Sequence, residues 1–394
     1  MTINNDHKAD KPGAFPRYLC SLRNVNQLSM FDKSNLKPVT DRYAFRANKY
    51  YLNLINWDDP DDPIRRLIIP CEEELEQWGE LDACDESSIT VRQGVQHKYA
   101  TTVLLLVTEN CGCFCRYCFR KRIFMNGNKE AAYDLKEGLE YISRHPEVNN
   151  VLLTGGDPMV LPTRKLRKIF DRLKNIKHVR LLRIGTKMPA FYPFRFLNDP
   201  EFINIIREFR DNYRSIYIVC HFDHPNELTR DSRKAIRMLQ RAGAIYVNQN
   251  PIIRGVSDSP EVMSKLWNEL SYIGVQQYYT FQGRPTAGNK PFSVPITEAY
   301  YKVEEAKGKC SGLAKRARYV MSHTSGKVEV MGVDRKYIYL KYHRAKDDED
   351  EQRIIVCYRD DDAYWLDDLT PVPEFQRQER SQIEDFLRQR DFSL

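Results

Sequence analysis

The chain has 394 residues, of which 42% are hydrophobic and 11% aromatic. This is enough apolar material for a large core, which excludes an intrinsically disordered protein and a disulfide-stapled miniprotein. The 61 Lys and Arg residues exceed the 54 Asp and Glu residues by a net charge of +7, an excess too small on so long a chain to demand or forbid an anionic partner.

The sequence has no apolar signal core and no run of about 18 apolar residues that could span a bilayer. We therefore expect a cytoplasmic protein that does not enter a membrane and whose ten cysteines stay reduced. Six of these cysteines are scattered along the chain. The other four, which fall within eight positions, are Cys111, Cys113, Cys115 and Cys118.

The N-terminal part divides into two predicted regions. Residues 1–35 are polar without a sustained hydrophobic period, so we expect a flexible arm. Residues 36–97 contain a helical pattern over 46–55 and an acidic, proline-rich turn over 58–63, which together predict a helical cap.

From residue 98 to 310, short apolar runs rich in β-formers alternate with amphipathic segments of helical period. This alternation predicts an α/β fold with a parallel sheet covered by helices. Six such units are too few for a closed eight-stranded barrel, so we expect an open (βα)6 barrel rather than a flat doubly wound sheet. The predicted strands are 103–107, 151–153, 179–184, 216–219, 244–247 and 276–281, and the helices are 134–143, 165–174, 201–211, 231–242, 261–272 and 297–306.

After the barrel the pattern changes to alternating runs at 327–333, 336–342 and 353–358. Residues 311–370 are therefore predicted to hold a small antiparallel β module. Residues 371–394 are polar and charged, and they predict a helical tail.

The clustered cysteines follow the first predicted barrel strand. Read as Cys111-x3-Cys115-x2-Cys118, they offer three thiolates on one loop, which suits a four-iron cluster whose fourth iron stays open for a small molecule. Zinc is an alternative because Cys113 adds a fourth thiol, although a closed zinc site normally pairs two Cys-x2-Cys knuckles. A chance grouping of buried thiols is a third reading.

These cysteines and five later motifs resemble the lysine 2,3-aminomutase family of the radical S-adenosylmethionine (SAM) superfamily. The resemblance extends from about residue 43 to 327, with the motifs in the family's order. The motifs are CRYCFRKR at 115–122, LLTGGDP at 152–158, RIGT at 183–186, HFDHPNE at 221–227, NQN at 248–250 and RGV at 254–256.

The resemblance implies a radical SAM partial barrel in which Cys111, Cys115 and Cys118 hold a 4Fe-4S cluster and SAM binds the open iron. An electron from a donor such as flavodoxin or ferredoxin then cleaves SAM to a 5'-deoxyadenosyl radical. A turn at the glycines and an ordinary loop histidine are the alternative readings of two of the implied contacts. The implied SAM-binding residues are Tyr117, Gly155, Gly156, Asp157, His221 and Asn226.

The family also carries pyridoxal phosphate (PLP), which implies that Lys327 is the catalytic lysine that bonds to it. Gln249, Lys98 and Tyr99 match family residues around the PLP phosphate. The chain departs from the family at Thr102, where the lysine enzymes have a second arginine. It also departs in the glycine-rich loop, which is reduced to residues 323–326.

Two arginines are the predicted substrate ligands. Arg120 matches the family arginine that pairs with the substrate carboxylate, and a guanidinium suits that task. Arg284 falls where the lysine enzymes have an aspartate for the distal ammonium, so an anionic amino acid is a better substrate than lysine. A salt bridge that closes a loop is the other reading of Arg284.

The predicted activity is therefore a PLP-dependent 2,3-migration of an amino group, an isomerase reaction, on an amino acid other than lysine. One alternative is a PLP-independent radical SAM enzyme that modifies a protein, a nucleic acid or an anionic metabolite. Another, from a different class, is a noncatalytic protein that binds zinc or RNA. The oligomeric state stays open, with self-association among the possibilities.

Overall fold

The computed structural model describes residues 15–125, 127–132, 134–211 and 213–375. In these ranges the chain forms an α/β fold built on one large curved sheet, with a separate two-stranded ribbon near the N-terminus. The predicted tail beyond residue 375 and the predicted arm before residue 15 lie outside the described residues.

Short elements form the N-terminal region. They are β1 (Tyr18–Leu19), α1 (Met30–Asn35), α2 (Lys37–Arg42), β2 (Ala47–Asn48), α3 (Lys49–Leu52), α4 (Pro63–Ile68), β3 (Thr90–Arg92) and β4 (Val95–Tyr99).

The segment from Tyr18 to Asn35 differs from the flexible arm that the sequence predicted. Strand β1 pairs antiparallel with β2, and Leu22 and Val25 beyond it are buried. The apolar residues of this segment are too irregularly spaced to show a helix or strand period, so their burial depends on the surface against which they pack. The predicted helix at 46–55 is also interrupted, because the side chain of Asn48 caps α3 by accepting from the backbone N of Tyr51.

The central region alternates strands and helices as predicted. Its elements are β5 (Thr102–Thr108), α5 (Lys136–Ser143), β6 (Asn150–Gly155), α6 (Thr163–Lys174), β7 (Leu181–Thr186), α7 (Met188–Phe191), α8 (Phe194–Leu197), α9 (Pro200–Phe209), β8 (Ser215–Cys220), α10 (Arg230–Arg241), β9 (Ile245–Pro251), α11 (Pro260–Tyr272), β10 (Gln276–Phe281), α12 (Ile296–Gly308) and β11 (Arg318–His323).

Strands β5 to β11 each pair in parallel with the next strand along the chain. A doubly wound sheet reverses its strand order at a switch point, whereas this order runs in one direction only. The prediction of a partial α/β barrel is confirmed. The sequence missed β11, a seventh parallel strand, because its apolar stretch is short and follows a basic segment.

The C-terminal module extends the same sheet with antiparallel strands, as predicted. Its elements are β12 (Gly326–Val333), β13 (Tyr337–Ala345) and β14 (Ile354–Tyr358). Residues 371–375, at the start of the predicted tail, contain a short 3-10 turn (Pro373–Phe375).

The two ends of the sheet approach each other through side chains. Lys98 of β4 donates from Nζ to the carbonyl oxygen of His323, 2.5 Å away, and Arg344 of β13 donates to the hydroxyl of Thr101 at 2.9 Å. In the described ranges no strand pairing joins these ends. The sheet is therefore an open barrel whose gap is bridged by side chains.

Each parallel strand buries one face against the helices and turns the other inward. In β6, Val151 and Leu153 are fully buried among the helices, whereas Leu152 and Thr154 line the interior. Helix α6 covers this outer face with four buried apolar side chains. The inner face carries polar, glycine, aromatic and aliphatic residues that surround a cavity. None of the described helices is long and apolar enough to cross a membrane.

Candidate active site

The barrel encloses a cavity of about 540 Å³. All but one of the residues predicted for the site line it, although they come from distant parts of the chain. The predicted residues that line it are Lys98, Tyr99, Cys111, Cys115, Tyr117, Cys118, Arg120, Gly155, Gly156, Asp157, His221, Gln249, Arg284 and Lys327.

Asn226 is the exception. It lies exposed in the 3-10 turn Pro225–Glu227, where its backbone N donates to Nδ1 of His224. The motif at 221–227 indicated a loop after a strand, but a loop has an inner and an outer side, and only the turn decides which residue faces inward.

The loop that carries the cysteines is fastened to the N-terminal region. The backbone N of Phe114 donates to the carbonyl of Arg46, and that of Arg116 donates to the carbonyl of Leu67, both at 2.8 Å. The buried guanidinium of Arg116 also donates to Glu74, with its Nη2 2.7 Å from Oε2. A charge-assisted pair of this kind holds a loop far more firmly than backbone contacts alone.

Three of the four clustered cysteines differ from the fourth. All four line the cavity, but Cys111, Cys115 and Cys118 are partly exposed. Cys113 is only 1% exposed, and its Sγ accepts from the side chain of Asn48 at 3.3 Å. Burial raises the pKa of all four thiols.

The three partly exposed thiols fit an iron–sulfur cluster by their chemistry, since such clusters are held by cysteine thiolates. Among the described residues, no three His, Cys, Asp or Glu side chains converge closely enough to share one metal ion. A cluster of four irons presents a separate iron to each thiol and does not require such convergence.

The loop after β6 packs against this cysteine loop. Gly155 has φ +110°, and the backbone N of Gly156 donates to the carbonyl of Thr108 at 2.7 Å. A Cβ on Gly156 would lie 2.3 Å from the carbonyl oxygen of Asn110, so a larger residue would push the two loops apart.

Asp157 has a role that the sequence did not indicate. Its Oδ1 accepts from the backbone N of Met159, and its Oδ2 accepts from Thr186 and from the backbone N of Lys187, at 2.7 to 2.9 Å. The carboxylate of this implied SAM-binding residue is therefore already used to join the loop after β6 to the end of β7. The motif at 152–158 could not show these donors, because Thr186 and Lys187 lie about 30 residues further along the chain.

Tyr117 and His221 belong to a buried polar network. The Tyr117 hydroxyl donates to Asp223 at 2.5 Å and lies 3.0 Å from Nε2 of His221, whose ring stacks on it. Lys187 completes the network with contacts of 2.7 Å to Asp223 and 2.6 Å to Glu227.

The sequence missed three members of this network, Lys187, Asp223 and Glu227. The two acidic residues were visible in the motif at 221–227, but nothing marked Lys187 as their partner. Burial alone would lower the pKa of Lys187, and the two carboxylates outweigh it and raise that pKa. The network therefore holds His221 and Tyr117 in place through hydrogen bonds to ion-paired groups.

Arg120 is engaged within the protein. Its Nε donates to Glu86 at 2.9 Å and its Nη2 donates to the same carboxylate at 2.6 Å, while Nη1 donates to Thr154 at 2.8 Å. Glu86 thus occupies the Nε and Nη2 donors through which Arg120 would bind a substrate carboxylate in a bidentate way. Glu86 also accepts from Arg122. The predicted residue lines the cavity, but the predicted pairing is not free to form through those donors. The sequence could not show this, because Glu86 lies outside every motif.

The opposite part of the cavity holds cations without counter-charges. In the described ranges none of them forms an ion pair; Arg284 instead donates to Sγ of Cys84 at 2.5 Å and lies over the ring of Phe119. Among the described residues, Arg284 therefore does not form the loop-closing salt bridge that was the alternative prediction. The unpaired cations that line the cavity are Lys98, Arg183, Arg284, Lys327 and Arg344.

The crowding of these cations affects the lysines. Burial, and after it the charges of Arg284 and Lys98, lower the pKa of Lys327 well below its usual value. Burial and Arg284 lower the pKa of Lys98 to about 8. The Lys327 amine lies 3.2 Å from the hydroxyl of Ser322 and over the rings of Tyr279 and Phe281.

Known proteins resemble this chain over most of its length. The Radical SAM superfamily matches residues 105–266. "Putative L-lysine 2,3-aminomutase" of Aquifex aeolicus (strain VF5) is 50% identical over 357 residues, which cover 90% of this chain and 96% of that protein. L-lysine 2,3-aminomutase of Acetoanaerobium sticklandii is 31% identical over 87% of this chain and 82% of its own length. Glutamate 2,3-aminomutase of Clostridioides difficile (strain 630) is 32% identical over 75% and 69%.

Replacing each clustered cysteine by serine tests which of the four thiols bind the cluster. We expect Cys113→Ser to keep the iron and sulfide content of the reconstituted protein, because Cys113 is packed in the core beside Asn48. Cys111→Ser, Cys115→Ser and Cys118→Ser should each lose the cluster. Iron and sulfide analysis under anaerobic conditions measures this, and equal losses in all four variants would contradict the assignment.

Glu86 predicts a pH dependence of stability. Burial alone would raise its pKa, but Arg120 and Arg122 outweigh burial and lower it to about 2. The stabilisation is therefore complete above pH ~4.5 and is lost as the pH falls toward 2, on the order of 3 kcal/mol in total. We expect Glu86→Gln to be less stable at pH 7 and to lose less stability between pH 5 and 2 than the wild type.

Denaturant unfolding at a series of pH values measures this difference. The exposed Glu76 offers a matched control, and Glu76→Gln should follow the wild-type profile. Parallel profiles of Glu86→Gln and wild type would contradict the role given to the buried pair.

Proposed function

The chain belongs to the family of radical SAM iron–sulfur enzymes that includes L-lysine and glutamate 2,3-aminomutases, and on this premise we propose that it moves an amino group between carbons 2 and 3 of an amino acid with an anionic side chain. One observation carries the proposal. The same cavity is lined by three partly exposed cysteine thiols and by a partly buried lysine of lowered pKa, surrounded by unpaired cations.

The cysteine side of the cavity would hold the cluster and SAM. When bound, these groups supply the 5'-deoxyadenosyl radical that takes hydrogen from the substrate, and PLP carries the amino group that migrates. Cys111, Cys115 and Cys118 are the proposed cluster ligands. The network that contains Tyr117 and His221 forms a fixed wall beside them, which would orient the nucleoside.

The lysine side of the cavity fits PLP. A lysine with a lowered pKa presents a neutral amine, the form that attacks an aldehyde. The unpaired cations around it match a phosphate, since a buried charge without a partner is costly. Lys327, Lys98, Tyr99 and Gln249 are the proposed PLP-binding residues.

The acidic residues of the cavity argue against lysine as the substrate. Glu86 and Asp157 are the only carboxylates among the described lining residues, and each is already occupied, Glu86 by Arg120 and Asp157 by donors from neighbouring loops. A substrate ammonium would find no free partner there. A substrate carboxylate would meet Arg284, so the proposed substrate is an amino acid such as glutamate, which is also the substrate named for one of the relatives.

The proposal includes a cytoplasmic location and an electron donor of the flavodoxin or ferredoxin class. All ten cysteines are free in the described structure, which supports a reducing compartment.

Two measurements on anaerobically reconstituted protein test the reaction type. With dithionite and SAM, the protein should release 5'-deoxyadenosine. With added PLP, it should develop the absorbance of lysine-bound cofactor, and Lys327→Ala should lose that band because it lacks the amine. The exposed Lys315 provides the control, so Lys315→Ala should keep the band. Release of 5'-deoxyadenosine without any PLP binding would overturn the amino migration and leave the radical SAM chemistry.

Arg284 tests the charge of the substrate. Turnover of L-glutamate by the wild type should exceed that of L-lysine, and Arg284→Gln should lower kcat/KM on glutamate by roughly tenfold to a hundredfold, the loss of one charge-assisted contact. Chromatographic separation of the 2-amino and 3-amino acids measures this, with Lys315→Gln as the control. Efficient turnover of lysine that Arg284→Gln leaves unchanged would refute the anionic substrate.

A further inference from the structure

The hairpin of β12 and β13 brings two basic side chains face to face. In the register of this pair, Lys327 lies directly opposite Arg344. Cross-strand partners have Cβ atoms about 5 Å apart, so a protonated Lys327 would place two like charges side by side, an arrangement that is destabilising. Neither residue forms an ion pair within the described parts of the chain. An arrangement that breaks a local rule without an internal compensation indicates a functional site, here one suited to an anion.

A β-bulge produces this arrangement. Val328 pairs with Tyr342, whereas Lys327 pairs with Arg344, so one step on β12 corresponds to two steps on β13 and His343 is the extra residue. Bulges re-aim side chains next to functional sites. Because of this one, Arg344 shares the inward face with Lys327 and lines the cavity.

The guanidinium of Arg344 is held only by neutral groups. Its Nη2 donates to the hydroxyl of Thr101 at 2.9 Å, both Nη atoms lie 3.4 Å from the hydroxyl of Thr102, and it sits 4.2 Å from the centre of the Tyr99 ring. The nearby Glu351 is exposed and accepts from the backbone N of Ala345 rather than from this arginine.

A second cation faces the same ring. Nζ of Lys98 lies 5.5 Å from the centre of the Tyr99 ring and donates to the carbonyl of His323. Two cations that share one aromatic ring, with no carboxylate paired to either, form a site for a doubly charged anion.

We propose that Arg344, together with Lys98, binds the phosphate group of PLP, which makes the C-terminal β module part of the cofactor site. The proposal rests on the proposed function. In PLP the aldehyde and the phosphate-bearing arm are attached to adjacent ring carbons, so the phosphate ligand must lie close to the lysine that takes the aldehyde. Arg344, the cross-strand partner of Lys327, meets this requirement, and its fork of N–H donors suits phosphate oxygens.

A comparison of PLP with pyridoxal, which lacks the phosphate, tests the assignment. Both are titrated into anaerobic protein, and the absorbance of the lysine-bound form gives each Kd. Arg344→Gln should raise the Kd for PLP by roughly tenfold to a hundredfold and change the Kd for pyridoxal by less than about twofold. Arg344→Lys, which keeps the charge but not the fork, should fall between wild type and Arg344→Gln. Lys341→Gln removes the same charge from the same strand outside the cavity and should bind both ligands as the wild type does.

Each other outcome has one meaning. An unchanged Kd for PLP in both Arg344 variants overturns the assignment, and so does equal weakening of PLP and pyridoxal, which would mean that Arg344 only positions Lys327. A wild type that binds neither ligand refutes the proposed cofactor itself and with it this inference. If Arg344→Gln fails to fold, the selective loss for PLP over pyridoxal in Arg344→Lys decides the question.

Discussion

The alternation of side chains along the curved parallel sheet is the constraint on which the rest of the molecule depends. Every second residue of β5 to β10 packs against the helices, and the residues between them must face the inside of the barrel. In β7, for example, Leu182 and Ile184 are buried in the helical layer, whereas Arg183 and Gly185 line the cavity. Residues far apart in the chain therefore meet in one place around the cavity.

Charge divides this cavity into two parts. Near the cysteines, the buried cations form ion pairs: Arg116 and Lys121 share Glu74, Arg120 and Arg122 share Glu86, and Lys187 pairs with Asp223 and Glu227. Near Lys327, the cations that line the cavity form no ion pair among the described residues. Lysines there can lose their proton, as the lowered pKa values of Lys327 and Lys98 indicate, but an arginine cannot. The arginines therefore stay charged. The ion-paired part suits the rigid placement of a cluster and a nucleoside, and the unpaired part suits anionic ligands.

The fold was largely readable from the sequence because it depends on local periodicity. The apolar runs and helical segments of the barrel correspond to β5 to β10 and to the helices between them. The failures occurred where burial is decided by distant partners. The helix predicted over 46–55 is broken by the cap that Asn48 forms, and the segment around Leu22 packs against a surface that the sequence cannot display.

For the site, the spacing of the cysteines marked the cysteine loop, and the resemblance to a known family marked the glycine loop and the lysine. Only the tertiary structure decided which of these residues are free. In the structure, Arg120 is paired with Glu86, and Asp157 accepts from backbone donors. Asn226 is exposed, and a bulge places Arg344 opposite Lys327. The reason is physical. A side chain's identity is local, but its hydrogen-bond partners, its burial and therefore its charge state are set by residues that the fold brings together from elsewhere in the chain.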